Sequence, residues 1–176
     1  SLLGHMSSSQ GALILPMPDN EDQYLLFTTS FFRDEVGTLA YNIIDMNLDA
    51  GLGAVVPNKK NVVIQKGVCE SLTYTFNEDS SAYWLITHLR DRNEFVSLKI
   101  DQFGIGVEKT ISPIGRNWSD LANYLALIKA SPLGDEIAVS HLGLSYGVPN
   151  AIEVYDFDPC SGQISNQYII DSIPDN

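Results

Sequence analysis

Basic residues are scarce in this chain. Ten Lys and Arg stand against 22 Asp and Glu, a formal net charge of −12 at pH 7. So acidic a surface repels phosphate backbones, and no basic patch with interleaved aromatics offsets it, so nucleic acid is not an expected partner. Long apolar runs are also missing. None approaches the roughly 18 residues of a membrane-spanning helix, so no membrane insertion is expected. The opening "SLLGHMSSSQ" has neither a basic start nor a long apolar stretch and does not read as a signal peptide. Cysteine is limited to Cys69 and Cys160. They pair only if the fold brings their Cα atoms within about 7 Å, and they read as one buried thiol and one loop thiol. Two cysteines fix no redox compartment. Catalytic signatures are absent too: there is no G-x-S-x-G, no H-E-x-x-H and no phosphate loop. "GIG" at Gly104–Gly106 opens a strand rather than a helix, and Ser7 to Ser9 reads as a polar linker.

What the chain has instead is a repeat. Its 176 residues, 44% hydrophobic and 18% charged, suffice for one domain with a core. Three strand-like stretches, "YLLFTT" from Tyr24, "YWLITH" from Tyr83 and "EIAVSH" from Glu136, align with Thr28, Thr87 and Ser140 in register. Another strand candidate precedes each, placing Leu13, Leu72 and Leu125 at equivalent positions, with turn formers between. Downstream, "LAYNIID", "FVSLKID" and "IEVYDFD" end in Asp45, Asp101 and Asp158, and Gly51, Gly104 and Gly162 follow. A last strand candidate then appears: "LGAVVP", "GVEKTIS" and "QISNQYII".

Four short strands recurring every 53 to 59 residues are the pattern of a propeller blade. The expected fold is all-β: a partial β-propeller of about three four-stranded antiparallel blades, over about 11–65, 70–114 and 123–172, within a single domain of residues 1–176. A β-sandwich of twelve short strands is the alternative, but a sandwich needs no repeat. One segment, Asn117–Lys129, looks helical, with Ser119 as cap and Asp120 in the first turn; the helical part is expected to be short because the repeat claims "YLALIK". Three blades do not close an ordinary ring. Open edges are expected at both ends, inviting self-association.

The blocks Ser7–Gln10, Ala12–Pro16, Tyr24–Thr28, Tyr41–Leu48, Gly51–Val56 and Lys59–Ile64, with "YWLITH" and "VYDFDPCSGQISN", resemble a region of large cell-surface proteins of gliding, type IX-secreting Bacteroidetes. Its lines run "G.SSTQ.ALIVP.PG....YYIFT" and "Y.IVDMNL..GLGDVV..KN"; here Ser1 stands where that block starts with Gly. The resemblance covers nearly the whole chain and makes "GHM" native sequence. It implies a WD-repeat-like propeller, secreted or at the cell surface, upstream of adhesion-type modules or a gliding-motility-associated C-terminal sorting domain. Ala54 departs from the family, where an acidic residue is common.

Among candidate sites, "DMNLDAG" begins like a calcium loop: Asp45, Asn47 and Asp49 fit ligand positions 1, 3 and 5. Val56 at position 12 has no carboxylate, Ala50 stands where Gly is needed, and the flanks read as strands. The competing reading is a turn, in which an Asp at a strand end bonds the backbone that follows. Calcium at Asp45, Asn47 and Asp49 stays open as the one metal expectation. His88 and His141 share a repeat position, but unit one has Thr29 there and no third ligand sits at a metal spacing, so they read as polar strand-end residues. Tyr24, Phe27, Tyr41, Tyr83, Trp84, Tyr155 and Phe157 read mostly as packing between blades. No catalytic residue is assigned. The expected function is a non-enzymatic extracytoplasmic module for a protein or glycan partner. The alternatives are a carbohydrate hydrolase or lyase and a calcium-stabilised adhesion module.

Overall fold

Among the described residues the second and third sheets are antiparallel meanders, and the first is a meander whose third strand pairs two further segments. The computed structural model describes residues 1–31, 36–118, 125–141 and 150–173. The first sheet contains β1 (Ala12–Met17), β2 (Asn20–Thr29), β3 (Thr38–Asp45), β4 (Ala54–Val55) and β5 (Val62–Lys66). The second runs β6 (Val68–Phe76), β7 (Tyr83–Leu89), β8 (Glu94–Asp101) and β9 (Gly104–Pro113). The third runs β10 (Leu127–Ala130), β11 (Glu136–His141), β12 (Asn150–Phe157) and β13 (Ile164–Ile173). The fold is therefore all-β, with three antiparallel sheets rather than the two of a sandwich.

Two details differ from the sequence reading. "LGAVVP" supplies only the two-residue β4, and the first sheet has five strands, not four. β4 pairs with Ile44 and Asp45; β5 pairs with Thr38 to Tyr41 on the same strand. The fourth strand is thus split, because Pro57 starts a 3₁₀ turn, Pro57–Lys59, that interrupts it. The column Leu13, Leu72 and Leu125 also fails. Thr28, Thr87 and Ser140 face Ala12, Leu72 and Leu127, so Leu13 is one position out and Leu125 lies before β10. The hairpin loops differ in length, so counting back from the second strand loses register on the first. In the helical-looking segment, Leu127–Lys129 is strand, while Ser119 and Asp120 lie outside the described residues.

The middle sheet separates two cores. Leu85 and Leu89 of β7, with Val96, Leu98 and Ile100 of β8, pack against Leu15, Leu25, Phe27 and Leu39 of the first sheet. The alternate residues Trp84, Ile86 and Phe95 pack against Ile128, Ile137, Val139, Tyr155, Phe157 and Ile164 of the third. Period-two alternation thus supplies both interfaces from one sheet. Burying each such side chain stabilises by about 1.5–3 kcal/mol. Phe27, Trp84, Tyr155 and Phe157 are buried as the sequence suggested; Tyr24, Tyr41 and Tyr83 are only partly covered. Cys69 is buried and Cys160 exposed, both as free thiols.

The first strands of the three sheets converge. A first strand has a partner on one side only, so alternate backbone groups on its other edge need acceptors and donors. On β10 they find side chains: Gln10 Nε2 donates to the Ile128 carbonyl (3.0 Å) and Gln10 Oε1 accepts from Ile128 N (2.9 Å). Ser71 Oγ donates to the Ala126 carbonyl, and Thr73 Oγ1 accepts from Ala130 N (3.3 Å). Gln10 Oε1 also accepts from Leu72 N on β6 (3.3 Å), and the Gln10 carbonyl accepts from Thr29 Oγ1 (3.4 Å). Ser71 and Thr73 on β6 are buried because hydroxyls there complete a neighbour's edge.

Replacing Gln10 with Ala leaves three backbone groups of β6 and β10 without partners. We expect a loss of about 2–4 kcal/mol, read as a lower urea midpoint at unchanged slope.

Candidate functional site

The three strand-end aspartates form the same turn. Asp45 Oδ1 accepts from Asn47 N (2.9 Å), Asp101 Oδ1 from Phe103 N (2.9 Å), and Asp158 Oδ1 from Cys160 N (3.0 Å). The glycines that follow, Gly51, Gly104 and Gly162, all have positive φ. Gly162 has a second constraint, since a Cβ there would run into the Trp84 ring. "DMNLDAG" is thus one of three Asp turns, and the opening residues of the calcium pattern are the turn itself. The other oxygen of Asp45 accepts from Gln23 Nε2 (2.9 Å), and Asn47 Nδ2 donates to Asp22 Oδ2 (3.0 Å). The Gln23 bond and then the Asn47 backbone bond hold the Asp45 carboxyl below its ordinary range. Asp45 presents no bare carboxylate oxygen, and among the described residues no group of three His, Cys, Asp or Glu is placed to hold a metal. Each Asp45 oxygen thus already accepts one hydrogen bond in the turn.

His88 and His141 keep their equivalent strand-end positions, facing Phe95 and Ala151 across their hairpins. Both are fully buried rather than at the surface. The reason is Trp118, from the connection between the second and third sheets. Its ring stacks on His88 at 3.9 Å and meets His141 edge-on at 5.3 Å. Nearby, Glu153 of β12 takes three partners: Arg116 Nε at 2.6 Å, His141 Nε2 at 3.0 Å and Tyr155 Oη at 2.6 Å. Burial by itself pushes the Glu153 carboxyl up; the bonds from His141, Tyr155 and Arg116 outweigh it and bring it down to about 2. Burial, and then the bond to Glu153, push the Tyr155 phenol well up. His88 Nδ1 lies 2.8 Å from the Leu89 carbonyl and donates to it, so Nε2 is a bare lone pair, without a hydrogen-bond partner among the described residues. Burial holds His88 neutral, bringing it down to about 3. Gly115 lets the chain pass under Tyr155, where a Cβ would meet the phenol oxygen. The Glu153 carboxylate is fully paired, while His88 Nε2 and Trp118 Nε1 have no hydrogen-bond partner among the described residues. The cluster pins the second sheet to the third.

The open site lies between the first and second sheets. A cleft of ≈ 750 Å³ has Leu25, Tyr41, Ile43, Leu98 and Ile105 on its walls, with Asn20, Gln23, Gln102, Lys59 and Lys109 among its polar groups. Both bordering strands are irregular. β5 bulges opposite Leu39 and Ala40, and β9 bulges opposite Leu98 and Ile100. At the rim Phe103 is 90% exposed and Val107 95% exposed. Phe103 is projected by the second Asp turn. Lys109 Nζ donates to the Ile64 carbonyl (2.9 Å) and to Gln65 Oε1 (2.6 Å), both neutral oxygens. Asp19 is the only carboxylate among the described lining residues.

Sequence reasoning missed both Glu153 and the cleft. Glu153 was signalled: it sits between Ala151 and Tyr155 on the alternating buried face of β12. Phe103, at the tip of a polar turn, was a similar signal. Among the described residues, no helix is long and apolar enough to cross a membrane.

Two outcomes are expected. The unfolded chain protonates His88 near pH 6.5 and Glu153 near 4.5, while the folded chain does so only near 3 and 2. Stability is therefore full above about pH 6.5 and falls on acidification, at about 1.4 kcal/mol per pH unit for each group. In urea titrations, His88→Phe should remove the slope between pH 6 and 5. Separately, excess calcium or a chelator should leave the melting temperature unchanged, because Asp45 is already satisfied. Neither a protein-family model nor a curated protein matches the chain.

Proposed function

We propose that the chain is a run of successive propeller-type blades serving as a non-enzymatic interaction module of a secreted or cell-surface protein. The observation that carries this reading is the convergence of β1, β6 and β10 on Gln10, with the sheets stacked face to face outward from it. First strands meeting at a common centre are what a blade array requires. The family resemblance supports placement outside the cytoplasm, among gliding-associated Bacteroidetes surface proteins.

Binding without turnover is the reading the cleft supports. Glycoside hydrolysis uses a pair of carboxylates, and this cleft holds only Asp19. A shallower hollow beside it adds Glu21 but no aromatic platform. The buried Glu153 cluster has acid–base groups but no opening toward the cleft, whose lining includes none of its members.

An array of open blades leaves its end faces uncovered. Beside the first sheet the N-terminal segment bonds to Asn61 through Leu3 N and the Ser1 carbonyl. On the third sheet Leu127, Ile152 and Tyr168 share an outer face and stay substantially exposed. Two copies pairing through that face would make an isologous dimer. Light scattering should give twice the mass of one chain, and Ile152→Lys should return it to monomer. A wild-type monomer at the highest soluble concentration would reject the open-blade reading.

A further inference from the structure

We infer that the cleft between the first and second sheets binds a saccharide carrying a single carboxylate. This rests on the reading of the chain as a binding module, and it deepens that reading by naming the ligand class.

Charge is the first reason. Lys59 and Lys109 line the cleft, and among the described residues neither has a carboxylate within ion-pair distance. In a chain of net charge −12, a cleft lined by two lysines and a single aspartate is locally positive. Arg116, by contrast, is paired with Glu153 at 2.6 Å. Lys109 is also held in place, since two of its three donors are spent on Ile64 and Gln65, leaving one for a ligand. Asp19 on the same lining and the net charge of −12 oppose a polyanion, so the site suits one negative charge rather than a row of them.

The second reason is the mixture of hydroxyl-binding groups with a bare aromatic ring. Gln23 uses one amide N–H on Asp45, and the Asn20 oxygen accepts from Asp22 N (3.1 Å). One therefore offers an acceptor and the other a donor, the pairing a sugar hydroxyl uses. Phe103, at 90% exposure, contributes nothing to either core, and its ring face is electron-rich toward the C–H face of a pyranose.

The third reason excludes the commonest competitor, an extended peptide added to a sheet edge. That mode needs a straight ladder of free backbone groups. Here β5 and β9 are both bulged, and the Ile64 carbonyl is taken by Lys109. Bulges and an edge lysine are devices that block strand addition.

The test is calorimetric titration of the intact chain with glucuronosyl-xylose, its methyl ester, and a hexaglutamate peptide. The acid is expected to bind about tenfold tighter than the ester, one charge-assisted contact's worth. Lys59→Gln should abolish that difference, and Phe103→Ala should weaken both sugars. Both residues are exposed, and an unchanged melting temperature verifies that each variant is folded. No binding of the acid, equal affinity for acid and ester, or preferential binding of the peptide would each overturn the proposal. Dimerisation through the third sheet is measured separately, so loss of sugar binding with the dimer intact rejects this site and leaves the blade reading standing.

Discussion

The arrangement of the three sheets depends on how the open edge of β10 is completed. A short first strand with bare peptide groups buried near the middle of a protein is costly, at about 1–3 kcal/mol for each unmet group. Here Gln10, from the turn before β1, and Ser71 and Thr73 of β6 meet them. The consequence is geometric. The inner strands are tied by directional bonds, while the faces are held by apolar contact, which specifies proximity but not angle. The polar stitching sets where the sheets meet, and the two cores fill what lies between.

Fixing the inner strands leaves the periphery to function. The cleft is lined by residues of β2, β3, β5, β8 and β9 and of the turns beside them, and its floor is continuous with the core that joins the first two sheets. In the second interface Trp118 is fully buried, with His88 stacked on one side and the Glu153 cluster beside it. Among the described residues, one interface thus holds a buried ion pair, and the other is open at the rim with two lysines on its lining.

Much of this was written locally in the chain. Strand positions, the three Asp turns and their left-handed glycines follow from alternation and turn chemistry within a few residues, so a single sequence displays them. The split fourth strand was obscured because Val55 and Val62 are equally good strand formers, and only Pro57 marks the break. Register on the first strands was lost because it depends on loop length, which carries no periodic signal. The site was the least legible. Lys59 and Lys109 stand far apart in sequence, and nothing local reveals that they border one cavity or lack acidic partners. Trp118 was hidden for a similar reason: its segment has helical spacing, while its role is set by two histidines on other strands.

A sheet that is apolar on both sides has no face to show water. The second meander, supplying Leu85 to one neighbour and Trp84 and Ile86 to the other, cannot persist as a solitary layer. Any excision of this region, whether by protease or by recombination, must therefore carry the flanking layers with it. The unit of inheritance is then the sheet with its neighbours, and a single repeat, although plain to the eye in the sequence, is too small to be passed on alone.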